Sequence, residues 1–163
     1  MALTLSKPLL HLRPIAASDA EVLCQIYSST RTSELEKITW WTRSQKEQFL
    51  RSQFQAQHSY YQHYYSGAHF WVIEQTAESI GRLYLHAALE NASVRIIDIT
   101  LLPQWRNKGI GSAILQDVMD FAAGIGRRVT IHVESFNPAM KLYQKLGFTL
   151  LSKTNDVYHL LEW

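Results

Sequence analysis

The sequence predicts an α/β fold on a mixed sheet whose first part is antiparallel. Three observations predict it. Apolar residues recur at helical spacing in the first third of the chain, then form three strand-like runs joined by short polar turns, and after Leu102 two helix-strand units follow before a last strand. No repeat, low-complexity tract or Pro/Gly/Ser linker interrupts the pattern, so residues 1–163 read as one domain.

Leu9 to Arg13 is a first strand, ended by Pro14. Ser18 is placed to cap a helix from Asp19 to about Thr30, with Val22, Leu23, Ile26 and Tyr27 on its apolar face. Arg31 to Trp41 carries mixed charge and no period. Ser44-Gln-Lys-Glu47 then reads as a capping box for a second helix, whose apolar face holds Phe49, Leu50 and Phe54 and which Ser66-Gly67 closes. His69 to Glu74 and Ile80 to Ala88 are strands around the polar Gln75 to Ser79 turn, and Asn91-Ala92-Ser93 turns the chain into a strand from Val94 to Leu102. A helix follows from Gly111 to Ala123, ended by Gly124 to Gly126, and then a strand from Arg128 to Val133. Asn137-Pro138 starts a short helix that stops at Gly147, and Phe148 to Leu151 and Val157 to Glu162 are the last strands.

Composition narrows the partners. The chain is long enough to bury a core without staples, and its 47% hydrophobic and 18% charged residues are those of a globular protein. A net charge of +2 is too small to argue by itself for nucleic acid, and no nucleic-acid partner is expected. Cys24 is the single cysteine and reads as a buried structural thiol. No stretch approaches the roughly 18 apolar residues of a membrane span, and no secretory pattern opens the chain, so no membrane association and a cytoplasmic location are expected.

The segment Ile96 to Ser112, IIDITLLPQWRNKGIGS, carries the chemistry. It reads as strand, turn and helix start with a G-x-G at the junction, where unpaired N–H groups at the positive end of a helix dipole make an anion site. Arg106 and Lys108 add positive charge. A bare G-x-G also serves a tight turn or close helix packing. Ile114 stands where a dinucleotide fingerprint needs its third small residue, and no Gly-Lys-Ser/Thr completes a Walker loop. A phosphate-bearing cofactor of another class remains.

Arg106-Asn107-Lys108-Gly109-Ile110-Gly111 resembles the Q/R-x-x-G-x-G/A signature of GNAT superfamily acyl-CoA N-acyltransferases, between the fourth strand and the third helix. Asn137, Ala139, Leu142, Tyr143, Leu146, Gly147 and Phe148 resemble that family's second pattern. The resemblance implies a mixed, mostly antiparallel sheet of six or seven strands with about four flanking helices, and a fourth and fifth strand that splay apart around acetyl-CoA. It implies that the amides of Arg106, Asn107, Lys108, Gly109, Ile110, Gly111 and Ser112 bind the pyrophosphate, and that Leu101 and Leu102 pair through their backbone with the pantetheine arm. Asn137 and Tyr143 would approach from the other side, with Tyr143 as general acid to the departing thiolate. Otherwise Tyr143 is a core aromatic beside Phe148.

The implied reaction is acetyl transfer from acetyl-CoA to a primary amine by direct attack, without a covalent acyl-enzyme. The acceptor stays open between small molecules and peptides. No single base stands out: Asp98, Glu134, Glu34 and Glu36 are candidates, and strict alternation turns Asp98 to the face opposite Arg95 and Ile97. The aromatic and histidine cluster from Trp40 to Trp71 reads as an acceptor wall, as core packing or as a homodimer surface, and His58, His63 and His69 are poorly spaced for a metal. Two other readings are carried: a non-catalytic acyl-CoA-binding or sensing module of the same fold, and a regulatory domain binding ATP or NAD.

Overall fold

The computed structural model describes residues 3–88 and 92–163. Seven strands make one sheet: β1 (Leu10–Pro14), β2 (His69–Gln75), β3 (Glu78–His86), β4 (Ser93–Leu101), β5 (Arg128–Glu134), β6 (Thr149–Thr154) and β7 (Tyr158–Glu162). Their spatial order is β1-β2-β3-β4-β5-β7-β6, antiparallel throughout except for the parallel β4–β5 pair. Pro14 is tolerated inside β1 because that strand is an edge. The β2–β3 and β6–β7 hairpins turn through paired left-handed residues, Thr76-Ala77 and Asn155-Asp156, a backbone that matches strand twist.

The helices are α1 (Ala20–Ser28), α2 (Thr32–Glu36), α3 (Arg43–Tyr64), α4 (Ile110–Gly124) and α5 (Met140–Lys145). Strand alternation sends Trp71 and Ile73 to one face, where Ile114, Leu115, Val118, Met119 and Ala122 of α4 meet Leu83, Leu85, Val94, Ile96, Val129 and Ile131. Val72 faces the other side, against Leu23, Cys24, Ile26 and Tyr27 of α1 and Phe54 of α3. Cys24 is therefore a core thiol.

Several boundaries differ from the sequence reading for local reasons. Ser18 does not cap α1; a 3-10 turn at Ala17–Asp19 precedes it, in which the Asp19 carboxylate accepts the Ala16 N–H at 2.7 Å and a two-nitrogen fork from Arg13. A carboxylate with an arginine partner outcompetes a hydroxyl there. The capping box of α3 is Thr42 with Gln45, reciprocal at 3.2 and 2.8 Å, not Ser44 with Glu47. The same spacing rule admits both pairs, and the helix starts at the earlier one. α2 fills part of the aperiodic Arg31 to Trp41 stretch; at five residues it is too short to show a period. Of the expected Asn91-Ala92-Ser93 turn, Asn91 lies outside the described residues and Ser93 already belongs to β4.

The β4–β5 ladder covers only Ser93 to Ile96 against Arg128 to Ile131, although β4 runs on to Leu101 and β5 to Glu134. The two strands splay beyond that point. The register on the other side of β4 gives the reason: Tyr84 opposes Asp98 and Leu85 opposes Ile96, which leaves Ile97 as an extra residue. Such a bulge bends the strand and sharpens its twist, and here it coincides with the last rung shared with β5.

Candidate active site

The splay is a wedge with β4 on one side and β5 on the other. Leu102 N–H donates to Ile80 O at 2.9 Å, so by alternation the main chain of Leu101 and Ile99 points away from β3 into the wedge. The approach of β3 to β4 at this height depends on Gly81. A Cβ there would stand 2.4 Å from Thr100 O and 2.8 Å from a Leu101 methyl.

Beyond the wedge, a 3-10 turn at Pro103–Trp105 leads to Asn107 and Gly109, both in the left-handed region at φ 57° and 72°. Gly109 is the N-cap of α4, and no side chain caps that helix. The N–H groups of Ile110, Gly111 and Ser112 therefore present the positive end of a 15-residue helix. A Cβ on Gly109 would meet nothing within 4 Å, so glycine is there for backbone conformation and leaves space in front of the amides. Gly111 has no positive φ; a Cβ on it would touch a Leu101 methyl at 3.9 Å, an ordinary contact.

The two basic side chains of the turn do different things. Lys108 Nζ sits 5.1 Å from the Trp105 ring centroid, at the cradle. Arg106 turns back instead: Nε donates to Leu101 O at 2.8 Å and Nη2 to Ser29 Oγ at 2.8 Å, while its own amide closes the 3-10 turn on Pro103 O. The end of α1 thus reaches the wedge from the β4 side. Arg31, one turn on, lies 3.8 Å from Glu134 at the end of β5 and 3.3 Å from Glu34. Beside it, Tyr27, Arg31, Glu34, Leu35, Phe49 and Gln53 enclose a cleft of about 250 Å³ between the first three helices.

Asp98 is committed. Arg82, 2% exposed, donates to it through Nη2 at 2.7 Å and Nε at 3.2 Å, and Thr100 Oγ1 adds a third bond at 2.8 Å. Burial alone would lower the Arg82 pKa, but Asp98 outweighs it and the guanidinium is held above its ordinary value. Gln57 of α3 accepts from the same arginine at 2.9 Å, and the Tyr84 ring lies 5.2 Å from its Cζ.

Tyr143, on α5, is 4% exposed and meets Phe148 edge-on at 5.6 Å. Among the described residues its hydroxyl has no hydrogen-bond acceptor. Burial raises its pKa, and the negative charges of Asp98 and Glu134 raise it further, so the phenol keeps its proton. Asn137 Oδ1 accepts the Ala139 N–H at 2.9 Å and fixes the turn that aims α5.

Residues 66–150, more than half of the chain, match the acetyltransferase (GNAT) domain family. The chain belongs to the GNAT acetyltransferases. The PaiA N-acetyltransferase of Thermoplasma acidophilum, solved with coenzyme A, has the same fold at a TM-score of 0.67 and 15% identity over 94% of this chain and 97% of that one. RimL, a ribosomal-protein alpha-N-acetyltransferase solved with coenzyme A, gives 0.61 and 23% over 98% and 94%. A segment of 56 residues is 39% identical to the Cysteine-rich protein 2-binding protein of Mus musculus and of Homo sapiens; it covers 34% of this chain and 7% of those proteins.

The GNAT signature residues gather at one end of the wedge, with Leu101 and Leu102 beside them and Asn137 and Tyr143 on the β5 side. Glu36 makes no hydrogen bond or ion pair among the described residues. Strict alternation misplaces Asp98: with Ile97 bulged out, Arg95 opposite His86 and Asp98 opposite Tyr84 share a face. The aromatic cluster divides. Phe54, His58 and Tyr61 of α3, with Tyr65 just past its end, lie on the sheet side, where Tyr61 meets Tyr84 and Tyr65 meets His86, while Trp40, Tyr60 and Tyr64 are exposed. The spacing of that stripe is helical and was readable. Arg82 and Gly81 were missed, because nothing in a strand sequence marks a buried cation or a close backbone approach. No group of metal-ligating side chains forms, and no helix is long and apolar enough to cross a membrane, among the described residues.

Proposed function

We propose that the protein transfers an acetyl group from acetyl-CoA to a primary amine, small or peptidic, by direct attack in a ternary complex. One observation carries this reading: β4 and β5 part after Ile96 and Ile131 beside the uncapped N-terminus of α4. The residues fit an acyl-CoA. Gly109 leaves open space before three free amides, and the wedge edge of Leu101 has no strand partner. The diphosphate would lie against Gly109, Ile110, Gly111 and Ser112 with Asn107 and Lys108 beside it, and the pantetheine arm along Leu101 and Leu102.

When bound, acetyl-CoA supplies the activated acetyl group. Tyr143 holds its proton in an apolar wall and gives it to the departing sulfur, while Asn137 sets the turn below. Glu134 takes the proton of the amine; its contact with Arg31 is long, whereas Asp98 is held by Arg82. Glu134, with its arginine partner 3.8 Å away, is the carboxylate left to attract an ammonium there. That RimL is named as acting on a protein amine supports an amine acceptor. We assign the whole chain to one acetyltransferase domain working in the cytoplasm.

The test is acetyl-CoA-dependent thiol release over a panel of amines, with calorimetry against ATP and NAD. Release above background with at least one amine and preferential binding of acetyl-CoA are expected. Tighter binding of ATP or NAD would sink the assignment.

A further inference from the structure

Arg95 is a part-buried cation that the transfer reaction does not use. It stands on β4 opposite His86, and the Ile97 bulge puts it on the same face as Asp98. Its partner in the parallel ladder is Thr130, so His132 lies one same-face position further along β5, and Glu134 the next. The wall above is α3: the phenols of Tyr65 and Tyr64 act on the guanidinium, and burial holds it below its ordinary pKa. Arg95 Nη1 is sealed from solvent without a hydrogen-bond partner. The comparable arginines Arg13, Arg31 and Arg82 each face a carboxylate, and Arg95 faces none among the described residues.

An enclosed guanidinium donor without an acceptor is unfavourable, and the charge is strongest for an anion where water is excluded. We propose that Arg95 is a specificity-determining residue that selects acceptor amines carrying an anionic group, a carboxylate or a phosphate. The proposal rests on the acetyl-transfer reading. With the amine at Glu134 and Tyr143, the anion reaches back along the sheet face toward Arg95, two ladder steps or about 7 Å of strand from Asp98. His132, whose pKa burial and then Arg95 lower, adds a second nitrogen at that end. The acceptor is thus a chain or peptide with its two charges at opposite ends.

The experiment uses the full chain, acetyl-CoA and matched series of short primary alkylamines ending in carboxylate, phosphate, methyl or ammonium. An anionic end should raise kcat/KM over the methyl-ended amine by about tenfold, the effect of 1.4 kcal/mol. Arg95→Gln should abolish that preference and leave the methyl-ended amine within about twofold, and Arg95→Lys should keep part of it. The better of carboxylate and phosphate names the anion. Equal rates for all ends, preference for ammonium, or an equal loss on every amine in Arg95→Gln would overturn the proposal. No thiol release above background with any amine overturns the acetyl-transfer reading instead. Calorimetry of the aminoalkyl carboxylate and phosphate then decides the anion site alone: binding lost in Arg95→Gln sustains it, and no binding to the native protein overturns it.

Discussion

Replacing Asp98 with alanine leaves Arg82 charged, 2% exposed and without its two charge-assisted bonds at 2.7 and 3.2 Å. Each such bond contributes about 1.5–3 kcal/mol, and breaking one side of a buried pair costs about 3–5 kcal/mol overall. Gln57 still accepts from Arg82, which favours the middle of that range, about 4 kcal/mol. This is a large share of the roughly 5–15 kcal/mol that holds a domain folded. At about 2–4 °C per kcal/mol for a chain of this size, Tm should fall by about 8–16 °C. The double variant Arg82→Met, Asp98→Leu removes both charges and should return to within about 1 kcal/mol of native, since the pair's solvation cost goes with it. Urea melts followed by tryptophan fluorescence measure all three proteins. A loss below about 1 kcal/mol in Asp98→Ala, or a double variant no more stable than Asp98→Ala, refutes the structural role. A fall in kcat of more than about 100-fold in Asp98→Asn at unchanged Tm would make Asp98 the base.

Tyr143→Phe should bind coenzyme A within about threefold of native by calorimetry and lose about 100-fold in kcat, the lower end for a general acid; unchanged kcat leaves Tyr143 a packing residue. Tyr84, fully buried, has its pKa pushed by burial from 10.0 up to about 12, and Tyr143 moves the same way. These phenols stay protonated in the folded protein while the unfolded chain loses its protons, so stability is unchanged below pH 10 and falls above it. The slope is about 1.4 kcal/mol per pH unit per phenol, ending for Tyr84 near pH 12, and phenolate absorbance against pH checks it. Gly81→Ala drives a methyl into Thr100 O and should cost about 3 kcal/mol by urea melt and raise KM for acetyl-CoA, because the clash displaces Leu101 at the wedge edge.

The order of elements was legible because strands and helices in this chain differ in period and are separated by Gly, Pro and Asn. The cradle was legible for the same reason: a G-x-G at a strand-to-helix junction has few physical uses. What a sequence could not show is which polar partner wins a local competition. Ser18 lost the start of α1 to a 3-10 turn whose Asp19 carboxylate takes the Ala16 N–H and the Arg13 fork, a pairing between β1 and the turn that precedes α1. Arg106 read as a charge for a ligand and is spent on Leu101 and Ser29, again across elements far apart in the chain. The core-aromatic reading of Tyr143 is met by its edge-on packing on Phe148, while its part as general acid is a proposal that Tyr143→Phe tests.

A single inserted residue connects the fold to the chemistry. Without the bulge at Ile97, β4 would stay in register with β3, Arg95 and Asp98 would face opposite sides, and the ladder with β5 would have no reason to stop at Ile96. With it, the strand bends away from β5 and opens the wedge, and the rows on either side of the bulge bring Arg95, Asp98 and Thr100 to the face that α3 covers. The buried Arg82–Asp98 pair then has a second consequence beyond stability. It pins the strand just after the bulge to β3 and α3 through Gln57, so the bend cannot relax into a flat, closed sheet. Loss of the pair should therefore loosen the wedge as well as the core, raising KM for acetyl-CoA even in molecules that remain folded.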